Sequence, residues 1–256
     1  MTPDTRNTLG KVPELTLLFW VIKIAATTLG ETAGDAVTMS MNLGYLVGTA
    51  IFLAVFIAAV AAQIRARAFH APLFWFVIVA TTTAGTTLAD FCDRSLGIGY
   101  AGGAALLAVL LATSLLWWHK SLGSVAIDRI DSRKAEVFYW MTIMFSQTLG
   151  TALGDWFADP EKGLGLGYQG SAVVFGIALA IIAACYCWTR ISRTALFWAA
   201  FILSRPLGAT VGDFLDKPVA DGGLALSRYT ASACLAVFIV ACIVLVRQRA
   251  ERIAAP

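Results

Sequence analysis

Charge is what this sequence has least of. Only 14% of its 256 residues are Asp, Glu, Lys or Arg, against roughly a quarter in ordinary soluble domains, so most of the chain is poorly equipped to face water. There are two histidines, His70 and His119, which argues against a histidine-built zinc site. The five cysteines show no zinc-ribbon spacing, and Cys185 and Cys187 stand where side chains on a helix diverge. No Gly-x-Ser-x-Gly, His-Glu-x-x-His or phosphate-loop motif occurs, which removes the usual starting points for an enzyme. A basic arm is missing as well: the net charge is only +3 and the basic residues fall in short clusters, so nucleic acid is not an expected partner.

What is present is apolar. The chain is 59% hydrophobic with a mean hydropathy of +0.76, and its apolar runs fall at 14–39, 44–64, 72–91, 99–119, 136–157, 167–189, 194–214 and 228–247. Runs of about 20 residues match a helix crossing a bilayer, whereas barrel strands are about half as long and alternate. The expectation is an all-α transmembrane protein, a single integral membrane domain over 1–256, with a retained first helix instead of a cleaved signal. Arg6, Lys11, Arg65, Arg67, Lys120, Arg129, Arg133, Lys134, Arg190, Arg193, Arg247, Arg249 and Arg252 fall on one side of these runs, and only Arg94, Lys162, Lys217 and Arg228 on the other. Positive charge stays in the cytoplasm, so both termini are expected there, in a bacterial inner (plasma) membrane, with the lipid bilayer as first partner.

The runs are not independent. Trp20, Trp75, Trp140 and Trp198 each stand ten residues before Gly30, Gly85, Gly150 and Gly208, and each glycine stands five before Asp35, Asp90, Asp155 and Asp213. This W-x9-G-x4-D pattern defines four two-helix repeats, at 14–66, 69–120, 135–190 and 193–249, with 121–134 a cytoplasmic, partly helical linker between halves. A small residue precedes every aspartate: Gly34, Ala89, Gly154 and Gly212. Spacing of four puts the two small residues on one stripe, which suits close helix packing. The expected architecture is an eight-helix bundle of four parallel repeats, pseudo-fourfold or pseudo-twofold, with the odd helices central. The tryptophans near the cytoplasmic ends read as interface anchors. Gly44-Tyr45, Gly99-Tyr100 and Gly167-Tyr168 read as turns opening even helices.

These four W-x9-G-x4-D copies resemble a bacterial membrane-protein family of four tandem repeats of unknown function, with a tryptophan characteristic of each copy. The resemblance covers nearly the whole chain and implies eight helices in the inner membrane. It implies no activity.

Chemistry, if any, lies with acids in the spans. A carboxylate inside a bilayer persists only against a partner, water or an ion. Glu31, Asp35, Asp90, Asp155 and Asp213 are the candidate ion-binding or proton-coupling set, the four aspartates also being candidate metal ligands; Asp93, Asp159 and Asp216 stand near a candidate mouth. Polar residues continue inward at four-residue steps through Lys23 and Thr27, through Thr82 and Thr86, and through Gln147 and Thr151; in the last repeat the ladder carries Arg205, beside Pro206. Lys23 and Arg205 are charge partners for the acids. On a symmetric bundle Glu31 and Arg205 differ by one turn, about 6 Å, so they fall within reach of one another. Pro206 is expected to weaken or kink its helix.

Hard oxygen ligands suit a cation such as Mn²⁺ or Mg²⁺, and crowded carboxylates share protons that a cation displaces. The leading expectation is a secondary transporter or exporter of a small cation, coupled to protons; no tightly held cofactor is indicated. The alternative is a non-enzymatic membrane sensor or assembly partner, as a homo-oligomer or through the basic segment Arg129 to Lys134. In it the acids are structural, capping helices or pairing with Arg94, Lys162, Lys217 and Arg228.

Overall fold

The computed structural model describes residues 9–246 and 248–252; Arg6 and Arg247, both part of the charge tally above, lie outside the described residues. The element order is β1 (Leu9–Pro13), α1 (Leu17–Asp35), α2 (Gly44–Arg65), α3 (Ala71–Asp90), α4 (Tyr100–Leu122), α5 (Arg133–Ala158), α6 (Gly167–Trp188), α7 (Arg193–Asp216), α8 (Arg228–Leu245) and β2 (Ala250–Arg252). Seven of these helices are long and apolar enough to cross a membrane, which marks a multi-pass membrane protein. The eighth, α5, buries Thr142, Ser146, Gln147, Thr148 and Thr151 together with Glu136 and Asp155, and is correspondingly less apolar.

Local sequence sets the helix starts. The hydroxyls of Thr16, Ser132 and Ser192 accept hydrogen bonds from the first-turn N–H groups of Phe19, Ala135 and Ala195, and α3 begins with a proline in its first turn, where no donor is needed. Ahead of α2, α4 and α6, Gly44, Gly99 and Gly167 take φ values of +75°, +77° and +67°, a region glycine enters without strain. α1 and α3 do not stop at their aspartates: each continues through a wider π-type turn, Ala36–Ser40 and Phe91–Ser95. α7 runs unbroken through Pro206. Between α4 and α5 the linker holds only the single tight turn Ile127–Arg129.

The odd helices form a closed ring in which α1 and α5 each pack against both α3 and α7. The even helices lie outside it and expose side chains such as Leu46, Leu106, Val173 and Val237, as lipid-facing helices do. Their pairing is shifted by one repeat: α2 lies on α3, α4 on α5, α6 on α7, and α8 returns to α1. β1 and β2 pair antiparallel, Leu9 opposite Arg252 and Pro13 opposite Ala250, and tie the described ends together at that seam. Lys11 fastens the strand pair to the bundle, its Nζ 2.7 Å from Glu136 Oε1 while its carbonyl accepts from Gln63 Nε2 at 3.3 Å.

The expectation of lipid-interface tryptophans is corrected for Trp75, Trp140 and Trp198, while Trp20 is half-buried. Trp75, Trp140 and Trp198 are 1%, 2% and 5% exposed, because each repeat tryptophan meets the aromatic residue that precedes the tryptophan of its neighbour. Phe19 contacts Trp75, Phe74 contacts Trp140, Tyr139 contacts Trp198 and Phe197 contacts Trp20, with centroids 5.4, 5.6, 6.4 and 6.1 Å apart. One such contact closes each seam of the ring. Pairs of this kind contribute about 0.5–1.5 kcal/mol beyond their buried area. The indole N–H of Trp75 reaches Gln248 Oε1 at 2.7 Å and that of Trp198 the Val125 carbonyl at 2.9 Å, so neither is stranded.

Candidate functional site

The repeat glycines bring the odd helices to backbone distance. A Cβ placed on Gly30, Gly85, Gly150 or Gly208 would come within 2.4 Å of Thr82, 3.0 Å of the Gln147 and Thr148 backbone, 2.2 Å of Arg205 and 2.0 Å of Thr27, respectively. One turn further, Gly34 faces Thr86, Gly154 faces Ala209 and Gly212 faces Glu31. Each glycine therefore receives a residue of the ladder on the next odd helix, and the polar stripe is drawn to the inside of the ring. Hydroxyls of Thr28, Thr83 and Thr148 donate back to carbonyls four residues earlier, at 3.0, 2.9 and 3.0 Å, which lets threonine enter an apolar interior without an orphaned donor.

At the middle of the ring Arg205 is fully buried and joins all four odd helices. Its Nη2 donates to Glu31 Oε2 at 2.9 Å, to Thr86 Oγ1 at 2.5 Å and to Thr151 Oγ1 at 2.6 Å. Glu31, Thr86 and Thr151 each follow the repeat glycine by one residue, so one guanidinium gathers the same position of the first three repeats. The fourth has Ala209 there, which leaves room along α7 for the arginine itself. Among the described residues Lys23 reaches no acid. Its Nζ lies 3.3 Å from Ser204 Oγ and 4.1 Å from the centroid of Phe201, a partner off the four-residue ladder and therefore missed in the sequence.

At the other end of the ladder the four repeat aspartates are held in two pairs. Arg94 spans Asp90 and Asp155, its Nε 3.0 Å from Asp90 Oδ1 and its Nη2 3.3 Å from Asp155 Oδ2. Lys217 spans Asp35 and Asp213, 3.0 Å from Asp213 Oδ1. Each cation stands four residues after the aspartate of its own repeat and reaches the aspartate of the next repeat around the ring. Only the second and fourth repeats supply one, so this layer has twofold, not fourfold, order. Lys217 follows the last residue of α7; burial opposes its charge, yet the carboxylates of Asp213, Asp35 and Asp216 hold its ammonium well above the ordinary value of 10.5.

Two sequence expectations change as a result. Glu31, Asp35, Asp90, Asp155 and Asp213 do not face Lys23 and Arg205 as a set: Glu31 meets Arg205, and Arg94 and Lys217 fold inward to meet the four aspartates, with Arg228 Nε also 3.9 Å from Asp35. The three expected mouth acids also separate. Asp216 joins the Lys217 cluster and binds Arg228 Nε at 2.8 Å. Asp93 is buried against Gly103 of α4, without a hydrogen-bond partner among the described residues. Asp159 is spent on the loop after α5, where its Oδ1 accepts from the backbone of Glu161 and Lys162 at 2.8 and 2.7 Å. Among the described residues, Asp35, Asp213 and Asp216 present oxygens within 4.8 Å of one another, the spacing that a bound cation requires. In this conformation the Lys217 ammonium lies against two of the three.

A family model described as Repeat of Unknown Function (DUF347) matches the chain four times in succession, at residues 18–69, 73–123, 138–192 and 196–251. No curated protein and no solved structure matches the chain.

Proposed function

We propose that this chain, which belongs to the DUF347 repeat family, is a transporter or exporter of a small cation, with a divalent ion such as Mn²⁺ or Mg²⁺ the best fit to its oxygen ligands. In this reading it sits in a bacterial inner membrane with both termini in the cytoplasm, and its four repeats run parallel around an axis along the membrane normal. The observation that carries the reading is the cluster of Asp35, Asp213 and Asp216, whose oxygens lie within 4.8 Å of one another, with the ammonium of Lys217 against Asp35 and Asp213. A tethered ammonium inside a carboxylate cluster is what a cation site contains when its substrate is elsewhere. An arriving ion displaces Lys217, and protons on the cluster leave with the exchange, which couples the two flows. Arg94 between Asp90 and Asp155 is the matching clamp on the opposite side of the ring.

The test is flux of Mn²⁺ or Mg²⁺ into proteoliposomes, with calorimetry across pH to record proton release on binding. Asp90→Asn or Asp155→Asn reduces flux. Full transport and metal binding by a protein with all four repeat aspartates changed to Asn overturns the reading.

One observation favours a second reading, a membrane sensor or assembly partner with structural acids: all four repeat aspartates already have a cation from this chain within 4 Å. Arg129, Arg133 and Lys134 are exposed between α4 and the start of α5 and supply a basic docking segment. A stoichiometric partner retained on purification, without ion flux, decides for it.

A further inference from the structure

The centre of the ring holds more positive charge than the chain neutralises there, and more hydrogen-bond donors than the chain uses. Lys23 and Arg205 are both fully buried. Among the described residues a single carboxylate, Glu31, stands within ion-pair distance of either. Lys23 is left with a hydroxyl and an aromatic face. An excess charge in the interior of a bilayer is expensive, and such groups persist when they meet a counter-charge.

The donors point the same way. Every hydrogen bond of Arg205 is made by Nη2, and Nε and Nη1 have no partner among the described residues. The Gln147 Nε2 donor and the hydroxyl of Thr82 are likewise buried without partners among the described residues. Gln147, Thr82 and Arg205 each stand three residues before their repeat glycine, so their backbones share one rung of the ladder; the Arg205 guanidinium extends one turn outward to Glu31, Thr86 and Thr151, and Lys23 lies one turn further in. Buried polar groups are rarely left unpaired. A set made of ammonium, guanidinium, amide and hydroxyl donors, with one surplus positive charge, repels a metal ion and fits an anion.

We propose that Lys23, Arg205, Gln147 and Thr82 hold an occluded monovalent anion with the chemistry of chloride. The site lies inward of the outer carboxylates, the Arg205 backbone standing about 12 Å from Asp213 along the helix at 1.5 Å per residue. The anion neutralises Lys23 and lets Arg205 engage Glu31 on one side while holding the anion on the other.

The experiment is thermal unfolding of the purified full-length protein in detergent, with sodium chloride titrated against sodium gluconate at constant ionic strength. A ligand that binds the folded state alone raises the midpoint in a saturable way. Chloride and bromide are expected to do so and gluconate is not; Gln147→Leu is expected to weaken the apparent chloride affinity about ten-fold, the loss of one charge-assisted hydrogen bond. Lys23→Met abolishes the dependence, and Asp90→Asn, in the outer layer, retains it. Identical wild-type midpoints in the two salts mean that water satisfies these donors, and overturn the proposal without recourse to any variant. Full chloride dependence in a Lys23→Met, Gln147→Leu double variant overturns it too, by placing the anion elsewhere.

Discussion

Arg205 and Glu31 show why a buried ion pair is read by its partners, not by its existence. Such a pair adds little net stability against a well-packed apolar substitute, while removal of one member strands a charge. Glu31→Leu and Arg205→Met are each expected to destabilise the protein by about 3–5 kcal/mol, and the Glu31→Leu, Arg205→Met double variant to regain most of the loss, as measured by unfolding in micelles. Equal effects for the double variant and the summed singles would mean that the two side chains act separately. Lys217 gives a prediction in pH. Its folded-state value is raised, so its contribution is complete below the ordinary value of 10.5 and fades only as pH climbs through the higher folded one. Lys217 should therefore add no pH dependence to stability across neutral pH and should give an alkaline loss that Lys217→Met removes; a Lys217-dependent fall in stability as pH rises through about 7 would contradict the cluster. The Glu31 to Arg205 juxtaposition was legible in the sequence, because four-residue steps count turns reliably. Pairing of the repeat aspartates with Arg94 and Lys217 was legible too, as the structural alternative, since each cation stands one four-residue step after its own aspartate; the second aspartate that each reaches, on the next odd helix, was not, because spacing along one helix names no partner on another.

Each even helix docks on the odd helix of the following repeat, so the unit that recurs in sequence is not the unit that packs. Periodicity reports which face of a helix is apolar, and gives no partner for it, which is why the repeats were legible and their pairing was not. The tryptophans illustrate the same limit. An indole near a helix end is compatible with a lipid interface or with a neighbour, and only the adjacent Phe19, Phe74, Tyr139 and Phe197 hinted at a cyclic aromatic chain. The shifted pairing predicts how the chain tolerates being cut. The segment between α4 and α5 holds one short turn, but α4 lies on α5 and α8 on α1. Fragments 1–126 and 127–256 expressed together should therefore co-purify from membranes, and each expressed alone should be degraded. Stable accumulation of either half by itself would show that the halves fold as separate bodies.

At the scale of the molecule the four repeats have diverged by layer. The aromatic contacts and glycine seams repeat around the ring, the Arg94 and Lys217 clamps repeat every second copy, and Arg205 occurs once. Composition and spacing made the membrane class and the duplication readable, since both are sums over many residues. The strand pair that joins the described ends had no such signal, being three to five residues long on each side. Its partner contact, α8 on α1, bears on how the protein is made. During synthesis α1 leaves the ribosome well before α7, carrying Lys23, Glu31 and Asp35 into the lipid, and the arginine that answers Glu31 is 174 residues behind it. Until α7 and α8 arrive, the first helix has neither its counter-charge nor its outer cover, so every truncated chain displays an unanswered polar stripe in the bilayer. Membrane proteases and insertion chaperones that recognise such a stripe would thus see the arrival of α7 and α8 as the disappearance of a signal: a helix made late hides one made early.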